Sequence, residues 1–353
     1  MNSNPCDKVR ESCAALMASK EAAEHVTIHG TALVDLADRI RMHSTIVVWD
    51  EEAWHYQPPL QWPHPIRKER MALYILALDA INFCFWPAAG YEYQDLAASL
   101  TAACQADHAV QEAHLETVST AFALTAAKLQ RMTVETMTAL FRDHHVTHQV
   151  PPDMAKRCQL WNEVGRGLET ASLGGSAVRL VERANGSAVA LVQLLIDTFP
   201  GFRDYLLKPT TTLAADTLCC PLYFLKRAQI CVGDWNAALQ LDLSDLSELT
   251  TFADYRVPQL LRHWKVLQYS NELAAAVDSQ QELVVASSQE ISIRAATVQA
   301  VELLVQELNR ETIISDNKPW TAVQTDWYLW QVGERLQAQG ELKPHHRVRT
   351  IYY

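Results

Sequence analysis

The sequence predicts a mainly α protein, a compact multi-helix domain with a few short strands. Three observations carry that reading. Apolar residues recur at three- and four-residue spacing in segment after segment, extended-looking stretches are scarce and scattered, and no break between them is long or low in complexity.

Helical spacing first appears over residues 67–81 and again over 96–106, 118–129, 134–141 and 155–168. Between Ser187 and Phe199, Val189, Val192, Ile196 and Phe199 share one face behind a Gly186-Ser187 start signal. Residues 295–308 and 321–336 complete the series. Only residues 45–49, 290–294 and 347–353 resemble strands, too few and too far apart for a βαβ series. Breaks at 57–65, 150–153, 173–176, 208–212 and 316–319 read as turns rather than linkers, so one domain over 1–353 is expected. No repeated period of roughly 20–50 residues suggests a solenoid.

Composition narrows the class of function. With 353 residues, 49% hydrophobic and 20% charged, the chain has the makeup of an ordinary globular protein. Its 30 Lys+Arg against 41 Asp+Glu leave a net charge of −11, which disfavours sequence-independent attraction to nucleic acid or anionic lipid. A small cationic or zwitterionic ligand suits it better. No secretory pattern occupies residues 1–20 and no apolar run of about 18 residues follows, so a cytoplasmic protein without a membrane partner is expected. Eight cysteines without a CxxC pair read as reduced core thiols.

Several local signals suggest chemistry. His144 and His148 lie four apart, a spacing that suits a metal, but they sit at a helix end without a carboxylate pattern and read as structural or solvated. His25 and His29 precede Gly30 and carry less. Leu173-Gly174-Gly175-Ser176 before a helix resembles an anion cradle, yet a glycine stop followed by a serine cap explains it. In the stretch from Asp79 to Trp86, Asn82 sets a polar amide among aromatics, which makes Asn82 and Trp86 candidates for a ligand-facing wall. The richest stretch is Phe252-Ala253-Asp254-Tyr255-Arg256-Val257-Pro258-Gln259, where Pro258 belongs in a first helical turn and Asp254 just ahead of it. A helix start would favour the ionised form of that carboxyl, and an ordinary capping aspartate remains the plain alternative. Lys226 and Arg227, near Phe224, form either a solvated face or an anion clamp.

Taken jointly, seven ordered motifs resemble the queuosine salvage proteins: DAINFCFW from Asp79, LGGSAVRLVERANGSA from Leu173, TFPGFRD from Thr198, FLKRAQI from Phe224, FADYRVPQ from Phe252, TDWYLW from Thr325 and HRVRTIYY from His346. The likeness is strong from Asp79 onward and weakest between Gly90 and Pro152. It implies a helical fold akin to helix-hairpin-helix DNA glycosylases. It also implies hydrolysis of queuosine 5′-phosphate to queuine, with Asp254 as the catalytic carboxylate. By the same likeness His55, Phe224, Lys226, Tyr255 and Gln259 contact base and sugar.

Such chemistry is reasonable for these residue types. Cleaving an N-ribosyl bond builds positive charge on the sugar, which an ionised Asp254 would stabilise or attack. Phe224, Tyr255 and Trp86 are candidates to stack on the base, and Gln259 to read a polar edge. Lys226, Arg227, Arg347, Arg349, Tyr352 and Tyr353 are candidate phosphate partners, although Arg347 and Arg349 equally suit pinning of the last strand. The expected partners are the nucleotide substrate and queuine product, with no cofactor, no metal and no stable nucleic-acid partner. Two rivals remain open at this point, a carrier that holds the ligand uncleaved and a DNA glycosylase.

Overall fold

Hydroxyl side chains open most of the helices. Ser19, Thr125, Thr133, Ser176, Ser187, Ser270, Ser287 and Thr321 each accept an N–H from the first turn they precede. Each such cap is worth about 1 kcal/mol, so the helix starts are written into the chain locally. A computed structural model describes residues 4–43, 67–88, 90–112, 124–207, 221–310 and 319–353. Among these are fifteen helices and six strands of two or three residues, so the chain is mainly helical as expected. His55, the strand-like residues 45–49, Cys219 and Cys220 lie outside the described residues.

The chain divides into two compact units, one made of Met1–Val48, Asp204–Gln229 and Asp245–Tyr353, the other of Trp49–Arg203 and Ile230–Ser244. In the first unit, helix Ser288–Leu308 is the central element, and helices Pro5–Met17, Gly30–His43 and Ala322–Ala338 pack against it. Residues 290–294, expected to be extended, are instead its first turns. The reason is that Ile291, Ser292, Ile293 and Arg294 are all buried. A helix wrapped on every side needs no apolar stripe, and its alternating Ile-Ser-Ile imitates a strand. Helix Pro5–Met17 turns Cys6, Val9, Cys13 and Leu16 inward at three- and four-residue intervals. Helix Arg256–His263 lies close to helix Ala322–Ala338 at Gly333, where a Cβ would stand 2.9 Å from Cγ and Cδ of Arg256. Three strand pairs complete this unit: Val26–Ile28 antiparallel with Leu267–Tyr269, Tyr205–Leu206 antiparallel with Leu222–Tyr223, and Glu282–Leu283 parallel with Arg347–Val348. Of the extended stretch expected over 347–353, only Arg347–Val348 is strand.

In the second unit, helices Arg67–Ile81 and Met154–Leu168 pack together, joined by the Trp161 indole N–H donating to the carbonyl of Ala77. Buried Arg157 donates to the carbonyls of Ile81 and Phe83, placing a cation where helix Arg67–Ile81 leaves its orphan acceptors. The same guanidinium lies 4.2 Å from the Phe83 ring centroid, which accounts for the aromatic run that follows Asp79. Gly165 permits a close crossing with helix Ala126–Arg131, since a Cβ there would fall 2.2 Å from the backbone nitrogen of Gln130. Burial and the neighbouring Asp79 push the Asp234 carboxyl well above its ordinary range.

Two motifs resolve in favour of their plain readings. The start of helix Ala177–Arg183 is occupied by the Glu69 carboxylate, which accepts from the Ser176 hydroxyl and from the Ala177 and Val178 amides. Its amides are therefore already bound to an anion of the chain itself. His144 and His148 each turn a ring nitrogen to a backbone carbonyl, those of Leu140 and Arg142. Among the described residues no helix is long and apolar enough to cross a membrane. The described cysteines, Cys6, Cys13, Cys84, Cys104, Cys158 and Cys231, are free and buried.

Candidate functional site

The strap that leads into helix Arg256–His263 places its carboxylate by simple means. Pro258 sits in the first turn and has no N–H, so Arg256 and Val257 present the available amides. Both donate to Oδ1 of Asp254, at 2.9 and 3.0 Å. Among the described residues nothing donates to its Oδ2. Asp254 is 9% exposed.

Its electrostatics correct a sequence expectation. A carboxylate at a helix start should ionise readily, yet burial is the largest effect and holds Asp254 above its usual range. The Lys226 ammonium and the two amides pull it back down. Lys226, 4% exposed, responds in kind: burial lowers its pKa and the charge of Asp254 raises it. A second carboxyl, Asp326 of helix Ala322–Ala338, accepts at Oδ1 from the Thr251 hydroxyl and the Phe252 amide. Burial, and then the charge of Asp254, pushes Asp326 up to about 8. The strap is thus tied down two residues before Asp254 by a carboxyl that stays protonated near neutrality.

Phe224 and Lys226 reach the same unit through an unusual turn. Leu225 between them has φ +53°, a left-handed conformation that a branched residue enters at a cost. Asp204 meets that cost. Its carbonyl accepts from the Phe224 and Leu225 amides, both at 3.0 Å, and its Oδ2 accepts from the Lys226 amide at 3.0 Å. The Phe224 ring, 1% exposed, lies under the Arg294 guanidinium at 3.9 Å. Tyr255 is half-buried and stacks at a tilt on His345, ring centroids 4.5 Å apart.

Other expected contacts find different employment. Gln259 does not present a free amide for reading a base. Its Nε2 donates to Gln337 Oε1 and to the Lys343 carbonyl, and its Oε1 accepts from Arg256. Arg256 also pairs with Glu334. A buried amide must satisfy its own polar atoms, and this network does so within the protein. The Tyr353 hydroxyl donates to Glu290 Oε1 at 3.0 Å, so it is spent on a carboxylate rather than offered to a phosphate. Arg227 is 1% exposed, Arg347 and Tyr352 are half-buried and Arg349 is exposed. Asn82 and Trp86 are half-buried residues of the other unit.

Sequence reasoning missed Asp204, Arg294 and Asp326. The available signal was chemical: Asp326 stands in a helix beside Val323 and Leu329, and Arg294 beside Ile293 and Ala295, charges on apolar faces that must be paired.

Comparison with known proteins bears on what this arrangement serves. The chain is 33% identical to a Dictyostelium discoideum protein named queuosine 5′-phosphate N-glycosylase/hydrolase, over 99% of this chain and 100% of the relative. A relative of the same name from Sphaerobacter thermophilus is 33% identical, with 94% of each chain covered. One from Mus musculus is 26% identical over 96% of this chain and 99% of its own. The family model described as queuosine salvage protein matches residues 63–353, and the chain therefore belongs to the queuosine salvage protein family.

Proposed function

We propose that the chain hydrolyses the N-glycosidic bond of queuosine 5′-phosphate, releasing queuine and ribose 5-phosphate. The observation that carries this reading is the buried Asp254, its Oδ1 fixed by two amides and its charged form favoured by the Lys226 ammonium. As the bond to the base lengthens, positive charge gathers on the sugar, and a pre-oriented carboxylate in a dry site stabilises it without reorganising. Ionised Asp254 takes that role, and Lys226 favours the ionised form it needs. Phe224 and Tyr255 supply flat aromatic surface for the base, and the family likeness adds His55. Lys226, Arg227, Arg347 and Tyr352 are the groups this reading assigns to the phosphate; for Tyr353 and Gln259 the hydrogen bonds above favour structural duty. The reading requires no cofactor or metal from the protein, and treats 1–353 as one functional domain. Six free buried thiols agree with a cytoplasmic setting.

Purified protein mixed with queuosine 5′-phosphate in the presence of chelator should yield free queuine by mass analysis. Intact nucleotide after prolonged incubation would instead identify a carrier. Asp254→Asn, checked for an unchanged circular dichroism spectrum, should lose at least about 1000-fold in kcat. Normal turnover in that variant would remove Asp254 from the chemistry.

A further inference from the structure

We infer that Arg294, from the second turn of a helix that contributes none of the residues assigned to the substrate, is a positioning residue that holds the carboxylate strap and the aromatic turn in one geometry. The inference rests on the proposed role of Asp254. Its basis is that one guanidinium makes three different kinds of contact at once. Nη1 and Nη2 grip the two oxygens of Asp204 at 2.9 and 2.6 Å. Nε donates to the carbonyl of Ala253 at 3.1 Å. The central carbon of the guanidinium lies over the Phe224 ring, 3.9 Å from the ring centroid.

Each contact controls a different part of the site. The Ala253 carbonyl lies in the same rigid peptide plane as the Asp254 nitrogen, so holding one holds the other. Asp204 is the residue whose carbonyl and carboxylate accept the Phe224, Leu225 and Lys226 amides. The strained Leu225 turn therefore keeps its shape only while Asp204 is itself held. The guanidinium over the ring then holds Phe224 directly. Arg294 is 3% exposed and Asp204 2%. Burial on that scale keeps bulk water from serving as a ready substitute partner for either group.

Lysine cannot replace this hub. A single ammonium can neutralise Asp204, but it lacks the planar fork that grips two oxygens while a third N–H reaches elsewhere. Loss of the Ala253 tether would free the strap by a fraction of an ångström to an ångström, and displacement on that scale costs about 100-fold in rate. The charge over Phe224 would persist, so binding should suffer less than chemistry.

The test uses the full chain carrying Arg294→Lys, assayed at a temperature where circular dichroism shows it folded, with rates referred to folded protein. Single-turnover kcat should fall at least tenfold while KM for queuosine 5′-phosphate changes less than threefold. A merely structural role would lower the melting temperature and the folded fraction but leave kcat per folded molecule within twofold of wild type, and that result overturns the inference. Asp204→Asn provides a second route, because an amide has one acceptor oxygen for the two N–H groups of the fork and the Lys226 amide. It should show the same kcat-weighted loss, several-fold in size. If Arg294→Lys fails to fold, wild-type kcat in folded Asp204→Asn overturns the inference; failure of both variants to fold makes the pair a tie of the core and overturns it too. Asp254→Asn run in parallel separates the two claims. Turnover surviving there defeats the assignment of Asp254, whereas a dead Asp254→Asn beside a fully active Arg294→Lys defeats only the positioning role.

Discussion

Replacing Asp326 by asparagine should stabilise the protein, by an amount that grows with pH. Asp326 is 3% exposed and uses Oδ1 to accept from the Thr251 hydroxyl and the Phe252 amide, an acceptor that asparagine keeps. Burial first, and the charge of Asp254 second, move the folded carboxyl from 3.8 to about 8. In the unfolded chain the group ionises at its ordinary value. Between those two values the folded protein therefore holds a proton that the unfolded chain has released. A carboxyl raised in this way costs nothing below its unfolded pKa, and costs progressively more as pH climbs to the folded one. At about 1.4 kcal/mol per pH unit, the full window amounts to at most about 6 kcal/mol. Asparagine has no proton to hold and escapes that cost. Urea unfolding of both proteins at several pH values from about 4 to 8 measures the difference. The advantage of Asp326→Asn should be smallest near pH 4, rise steadily and level off near pH 8. A difference that is flat or shrinks with rising pH would refute the reasoning.

The remaining predictions concern the neighbours of that carboxyl. Activity that needs ionised Asp254 is present above its folded pKa and lost as pH falls through it, so the acid limb of kcat/KM should lie above 3.8. Removing the opposing charge in Lys226→Met should shift that limb to higher pH, and a shift to lower pH would contradict the influence assigned to the Lys226 ammonium. Gly333→Ala puts a Cβ 2.9 Å from Arg256 Cγ and Cδ, and should cost about 1–3 kcal/mol in thermal or chemical unfolding. An unchanged midpoint would show that the Arg256 network yields freely. Gln259→Ala leaves Arg256 and the Lys343 carbonyl short of partners and should cost about 1–3 kcal/mol of stability with KM within about threefold of wild type. A large rise in KM without destabilisation would return Gln259 to the base.

Helix identity was legible from sustained apolar recurrence, and most directly where one face is buried behind a written cap, as in helix Ala188–Thr198 after Ser187. Residues 67–81 and 155–168 match helices Arg67–Ile81 and Met154–Leu168 almost residue for residue. Residues 290–294 misled because burial on all sides erases the period that distinguishes the two structures. At the site, the motifs around Asp254 and Phe224 named the residues and could not state their surroundings. That the Asp254 carboxyl is pushed up rather than down depends on burial, which no local pattern at a helix start reports. The amide of Gln259 seemed available because its partners, Gln337 and Lys343, lie 78 and 84 residues away. Arg294 and Asp204, 90 residues apart, acquire meaning only when the fold brings them together.

The interleaving of segments bears on how this chain comes to be made. Helix Pro5–Met17 buries its inner face against helix Ser288–Leu308, and its Arg10 pairs with Glu302, 292 residues downstream. On the ribosome, helix Pro5–Met17 must therefore wait for the synthesis of helix Ser288–Leu308 before its apolar side is covered. Contacts that span so much sequence fold slowly and leave sticky surface open to misassociation in the interval. Yield in cells should accordingly depend on holding chaperones and on growth temperature more than on the finished molecule's resistance to heat.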